Sequence, residues 1–245
     1  MIAPSPSLAN TFTAFGAFHA VTALACTALV VAVCLAARRG DHKHERKIRS
    51  AWVWAIVILQ SFALVWYLLP ANFDPKVSLP LHLCDIGVWI AAIALHRGNT
   101  RVRSLLYFWG IGLSSQAFFT PVLDEGYASP QFWFFWLGHT QIVGSAVYDL
   151  WVLRFRPGWA HFRFAAIAGV AYGLVMVGFN EIFDSNYGYV GRTLPEKKTV
   201  LDALPPWPWR VVALFGIATF VQFLAAVPWL IAARLKQDPA PEVEP

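Results

Sequence analysis

An all-α, polytopic membrane protein is the fold class this sequence predicts: a single bundle of seven transmembrane helices, N-terminus outside and C-terminus cytoplasmic. Three observations carry that expectation. Hydrophobic residues make up 58% of the 245 and charged residues 13%, whereas an ordinary soluble domain is roughly half apolar and a quarter charged. The apolar residues fall in blocks of about 20, the length that crosses a hydrocarbon core of about 30 Å. The basic residues between those blocks alternate between dense and sparse.

In chain order the predicted spans are Phe12 to Ala37, Ala51 to Pro70, Leu79 to His96, Val102 to Pro121, Gln131 to Leu153, Phe162 to Phe183 and Trp209 to Ala233. Helices are expected, because each block must satisfy its own backbone hydrogen bonds in lipid and none shows the period-two alternation of barrel strands. Residues 1–236 therefore read as one transmembrane domain. The tail 237–245 is short, acidic and proline-rich, which predicts disorder. Met1 to Asn10 lacks the basic n-region of a cleavable signal peptide, so the first span is expected to stay in the mature protein.

Orientation follows from the cations. Arg38, Arg39, Lys43, Arg46, Lys47 and Arg49 lie in the first connection; Arg97, Arg101 and Arg103 in the third; Arg154, Arg156 and Arg163 in the fifth; Arg234 and Lys236 in the tail. These are fourteen, against five on the other side: Lys76, Arg192, Lys197, Lys198 and Arg210. The positive-inside rule makes the first set cytoplasmic. Trp66, Tyr67, Trp133, Tyr187, Trp207 and Trp209 fall near the outer boundary, where amphipathic rings prefer the headgroup layer. The expected location is the plasma (inner) membrane, and the net charge of +5 reflects topology rather than nucleic-acid binding. The basic stretch Arg38 to Arg49 is expected to be a loop whose charge sets that topology.

Polar groups inside the spans are the candidates for function, since an ionisable side chain there costs about 2.5 to 3.5 kcal/mol even on insertion scales. At roughly 1.5 Å per helical residue, Cys84 lies about 6 to 8 Å below the outer boundary, flanked by His82 and Asp85; Gln116 lies at about 8 Å, His19 at about 10 Å, His139 at about 12 Å, and Asn180 and Glu181 within about 5 Å. Helices entering from alternate directions thus place these groups in one outer layer, which predicts a polar cavity opening outward. Gln60, Ser61 and Gln222 are expected to hydrogen-bond neighbouring helices, and Cys26 and Cys34 to be small apolar packing. Within Leu79 to Ile86, residues three apart share a helix face, so His82 is expected to pair with Asp85 while Cys84 looks elsewhere, toward a base such as His139. A helix N-terminus beside Cys84 favours a nucleophilic thiolate.

Two chemistries fit this set. One is nucleophilic catalysis, in which Cys84 forms a thioester, a histidine moves the proton, and Gln116 or Ser115 donates to the oxyanion. The other is a metal site of Cys84, His82, His139 and Asp85. A third reading, a transporter or small-molecule receptor, uses the same buried polar groups to bind a solute. No CxxC pair, HExxH, glycine-rich phosphate loop or GxSxG occurs, so zinc ribbons, zincins, nucleotide enzymes and nucleophile-elbow hydrolases find no support. No cofactor is expected. The longest outer connection, about Asp184 to Pro208, holds Asn186, Tyr187, Tyr189 and Arg192; a loop of that length is expected to be either a lid or binding element or an interfacial aromatic belt with a proline-stiffened turn.

The stretch Leu79-Pro80-Leu81-His82-Leu83-Cys84-Asp85-Ile86, the later Trp136-Leu137-Gly138-His139, the Asn180 to Tyr187 segment and the closing Pro206-Trp207-Pro208-Trp209 together resemble the YwaF-type integral membrane family, bacterial relatives of an animal cysteine-dependent acyltransferase that moves fatty acyl chains between phospholipids, including ether lipids. The resemblance implies a seven-helix bundle, a phospholipid or lysophospholipid substrate, Cys84 as nucleophile, and His82 and His139 as supporting acid or base. The chain departs from the family in the outer loop, where Leu194-Pro195-Glu196-Lys197 replaces a Lys-Pro pair. Transacylase is accordingly the leading expectation, with the site on the extracytoplasmic side.

Overall fold

A computed structural model describes residues 9–193 and 200–235; the expected disordered tail and the Leu194 to Lys197 departure lie outside the described residues. The chain is all-helical: α1 (Ala17–Arg39), α2 (His42–Leu68), α3 (Leu83–Arg97), α4 (Thr100–Leu105), α5 (Pro130–Trp151), α6 (Trp159–Phe183) and α7 (Trp209–Leu235). Among the described residues the only β pairing is an isolated bridge between Thr11 and Glu125. Four of these helices, α1, α2, α6 and α7, are long and apolar enough to cross a membrane. Their outward faces carry exposed Leu24, Ile58, Leu174, Ile182, Ile217 and Phe220, an apolar exterior that water would not tolerate and lipid matches. The molecule is a membrane protein.

The basic stretch after α1 is helix, not loop. Asp41 accepts a hydrogen bond from the His44 N–H at 2.8 Å and so caps α2, and Glu45 in the first turn pairs with Arg49 four residues on at 2.9 Å. A capping aspartate, an acid near the N-terminus and an i,i+4 ion pair each favour starting the helix here, nine residues ahead of the apolar run. The cations therefore ride on α2.

The fourth apolar block is the least regular. The six residues of α4 run into a π-helical stretch at Leu106–Ile111 and then a 3-10 turn at Ser114–Phe118, where a continuous helix over 102–121 is expected from hydropathy. Gly110 lies in the π stretch, and a Cβ added there would meet the Ala146 Cβ and the Ile142 side chain at 3.3 Å. Close approach of the wide turn to α5 is what the glycine permits.

Helix α5 is the hub, packing against α1, α2, α3 and the π stretch. Ile142 and Ala146 of α5 join Ile56, Val88, Ala91 and Phe108 in the main core. The polar side chains of α5 find partners inside the bundle: Gln141 accepts from the Gln60 amide of α2 at 3.1 Å, as expected of Gln60, and Ser145 accepts from Trp52 Nε1 at 2.9 Å. At the basic end, Arg103 meets the buried Asp149 at 2.7 Å, Tyr148 donates to Glu45 at 2.8 Å, and Arg49 donates to the Leu95 carbonyl at 2.8 Å. These contacts gather the start of α2, the end of α3, the start of α4 and the end of α5. The start of α3 and the turn after α6 meet at the opposite end, around Cys84.

Candidate functional site

Chain geometry before α3 decides how the Leu79 to Ile86 motif is displayed. His82 is the N-cap, and its main-chain N–H donates to Asp85 Oδ2 at 3.0 Å. The expected pairing of His82 with Asp85 thus runs through the backbone, which leaves the imidazole free to turn away from its own helix. Its Nδ1 accepts from the Gly188 N–H at 3.4 Å, and the ring sits 5.1 Å from that of Tyr187 and 5.5 Å from that of Tyr189. Cys84, in the first turn of α3, makes a long S–H contact of 3.9 Å with Asp85 Oδ1.

His139 comes from the middle of α5. Its Nδ1 lies 2.8 Å from the Phe135 carbonyl. A carbonyl can only accept, so Nδ1 carries the hydrogen and the Nε2 lone pair is left available.

Two cavities meet at these residues. The first, about 360 Å³, runs between the α4 continuation, α6 and α7, with Leu113, Val170 and Phe215 among its walls. The second, about 570 Å³, lies between α2, α3 and α5 and is lined by polar Gln60, Asn72, Asp85, Glu125 and Gln131 as well as by aromatic rings. His82, Cys84 and His139 line both. One chamber is mainly apolar, the other is the more polar of the two, and the thiol stands in the wall they share.

The turn after α6 completes the site. Asn180, 3% exposed, accepts from the Tyr187 N–H at 2.8 Å and from the Ser185 hydroxyl at 2.9 Å, and donates to the Tyr187 carbonyl at 2.8 Å. Asn186 accepts from the Gly191 N–H at 2.9 Å. Tyr187 is fully buried; its hydroxyl donates to the Pro75 carbonyl and accepts from the Leu79 N–H, both at 3.0 Å. Lys76 is 2.5 Å from Asp184, and its ammonium holds that carboxyl below the usual carboxylate range. The segment before α3 is thereby tied to the turn after α6. Because Asn180 satisfies three main-chain or hydroxyl groups at once, Asn180→Ala is expected to destabilise the protein by about 2 to 3 kcal/mol, read as a lower thermal midpoint in detergent.

Not every expected residue joins the cavities. Gln116 lines the first but donates to the Thr120 hydroxyl at 2.9 Å. The Ser115 hydroxyl donates to the Ile111 carbonyl at 2.6 Å, and it is the neighbouring Ser114 that faces the cavity, a consequence of the change of helical pitch here. Glu181 pairs with Arg192 at the surface, whose guanidinium lies 4.3 Å over the Trp207 ring. His19 is packed against Phe12 and Trp136, accepting from the Phe15 N–H and donating to the Phe118 carbonyl, each at 3.0 Å. Asn180, Asn186 and Tyr187 hold the turn without lining either cavity. Tyr172 and Tyr189 do line the first; Tyr189 belongs to the long outer connection, whereas Tyr172 is not among the expected residues, and its signal is its place one residue before Gly173 and three after Gly169 on a stripe of small residues. Among the described residues no three His, Cys, Asp or Glu side chains converge closely enough to hold a metal ion.

A family profile described as the TMEM164 family matches residues 14–226. The chain belongs to the TMEM164 family. The match spans α1 through most of α7 and includes every residue placed at the site. TMEM164 proteins are membrane proteins, in agreement with the apolar exterior; the family established by the match is TMEM164, where the motifs pointed to the YwaF-type name. No curated protein and no solved structure matches the chain.

Proposed function

We propose that this TMEM164-family protein is a membrane-embedded transacylase that moves acyl chains between phospholipids through Cys84. The observation that carries the reading is the position of Cys84 with His82 and His139 in the wall shared by an apolar and a more polar chamber. A phospholipid has those two characters at its ester: acyl chain on one side, glycerol and headgroup on the other. The Cys84 sulfur attacks the ester carbonyl carbon and its proton passes to His139 Nε2, forming an S–C bond and an oxyanion. Collapse breaks the C–O bond, and the departing lysolipid oxygen takes the proton from His139. A second lysolipid hydroxyl then gives its proton to His139 and attacks the thioester, and the thiolate regains that proton as it leaves.

The same reading takes the bundle as seven spans, with α3, α5 and the run from α4 through its π-helical and 3-10 continuation crossing beside the four more apolar helices. The imbalance of fourteen cations to five supports an N-terminus outside, a C-terminus in the cytoplasm and a plasma-membrane site opening on the extracytoplasmic side. Mass spectrometry of the intact protein after incubation with phospholipid tests the chemistry. An adduct of acyl mass on Cys84 is expected, and acyl exchange by a wild-type protein that never carries one would overturn the covalent step.

The chamber assignment has its own test. Gly169 lines the apolar cavity, where an added Cβ would touch only Trp109 and Gln222, at 3.6 and 3.7 Å. Gly169→Leu fits sterically at its first carbon and fills the cavity beyond it. Exchange of long acyl chains is expected to fall about tenfold relative to short ones, the discrimination a few methylenes provide in an apolar pocket. Equal loss for all chain lengths would place the acyl chain elsewhere.

A further inference from the structure

We propose that Tyr189 is a catalytic residue whose phenol hydroxyl donates to the oxyanion formed when Cys84 attacks an acyl ester, an inference that rests on the transacylase reading. Three tyrosines lie within electrostatic range of the thiol: Tyr67 lines the more polar chamber, and Tyr172 and Tyr189 line the apolar one. Tyr172 spends its hydroxyl on the Leu81 carbonyl at 2.7 Å, and Tyr187 spends its own on Pro75 and Leu79. The Tyr189 hydroxyl makes no hydrogen bond among the described residues, yet Tyr189 lines the apolar cavity together with Cys84 and lies within electrostatic range of it. The two groups expected from sequence to serve the oxyanion are committed elsewhere, Ser115 to Ile111 and Gln116 to Thr120.

The backbone shows what it takes to put the phenol there. Gly188 and Tyr189 are successive left-handed residues, at φ 66 and 61°. That conformation suits glycine and is rare for a bulky side chain, and it persists only where the surroundings over-determine it. Here they do. Asn180 clamps Tyr187 on both main-chain sides, the Asn186 carbonyl accepts from the Tyr189 N–H at 3.1 Å, and the Gly188 N–H is engaged by His82. Strained backbone held by a dedicated clamp, delivering an unengaged donor beside a thiol, is the arrangement of a preorganised oxyanion site. In the step, the ester carbonyl oxygen gains the electron pair as the S–C bond forms and accepts the Tyr189 O–H as a hydrogen bond. The phenol keeps its proton throughout.

Tyr189→Phe keeps the ring against His82 and removes the hydroxyl alone. Single-turnover acylation of Cys84, followed by intact mass with phospholipid, is expected to slow about a hundredfold while the half-saturating lipid concentration stays unchanged. Tyr189→Gly, which suits the left-handed backbone, is expected to fall by a similar factor and covers the case of a misfolded phenylalanine variant. Acylation at the wild-type rate in either variant, or a loss confined to half-saturation, overturns the role of Tyr189 and leaves Cys84 as nucleophile. Exchange without any adduct in the wild type overturns the Cys84 reading, and with it the oxyanion that Tyr189 would serve.

Discussion

Replacing Cys84 with serine or alanine is expected to lower acyl exchange by at least about a thousandfold, in keeping with loss of the nucleophile in enzymes that form covalent intermediates. The alanine variant loses the attacking atom outright. Serine keeps the shape and the contact with Asp85, but its hydroxyl is a far weaker nucleophile at neutral pH than a thiol. Cys84 is half-buried in the first turn of α3, at the edge of the main core, and each replacement changes its side chain by no more than one heavy atom, so the thermal midpoint should move little. The measurement is exchange of labelled acyl chains between phospholipid and lysophospholipid in detergent or vesicles. Undiminished exchange in Cys84→Ala would end the covalent mechanism and return the two cavities to the solute-binding reading.

His139→Gln should produce the second large effect, a fall of about 10² to 10⁴ in exchange, the range that a positioned general base contributes. The expectation rests on the tautomer. With its Nδ1 hydrogen committed to the Phe135 carbonyl at 2.8 Å, the ring presents a basic Nε2 in the wall shared by both cavities. A glutamine amide in that place can still donate to Phe135 but cannot take a proton. Loss of rate with unchanged half-saturation is the expected signature, and a change of less than about threefold would assign the proton to His82 instead.

The long apolar helices were legible from hydropathy because α1, α2, α6 and α7 expose broad faces to lipid and therefore have little room for polar residues. Helix α5 is less apolar for the opposite reason. It is the hub, so Gln141, Ser145 and Asp149 point at other helices, and its composition reflects protein rather than lipid neighbours. The start of α2 was hidden because a cap and an ion pair, rather than apolar residues, extend that helix. The change of pitch in the α4 region was hidden too, since it depends on Gly110 meeting Ala146 and Ile142 across the bundle.

At the site, the cluster of Cys84, His82 and His139 could be drawn from depth and spacing. The partners of His82 could not, because they come from a turn more than a hundred residues later. Tyr187 and Tyr189 stood in a loop that sequence marked as either a binding element or an aromatic belt. Which of the two phenols is spent on the main chain and which is left for chemistry is decided by hydrogen bonds to Pro75 and Leu79, contacts of a kind that no local pattern encodes.

The common wall between the chambers also bears on timing. In a one-chamber transacylase the first lysolipid must depart before the acceptor arrives, and the thioester waits in the interval exposed to whatever enters. On the transacylase reading, a chamber on either side of the sulfur keeps the acyl chain in the apolar one while lysolipid and acceptor exchange in the more polar one. The thioester would then meet its acceptor at the effective concentration of a confined neighbour rather than that of a diffusing lipid, and a lysolipid in that chamber would occupy the space that water needs to turn the same intermediate into a free fatty acid.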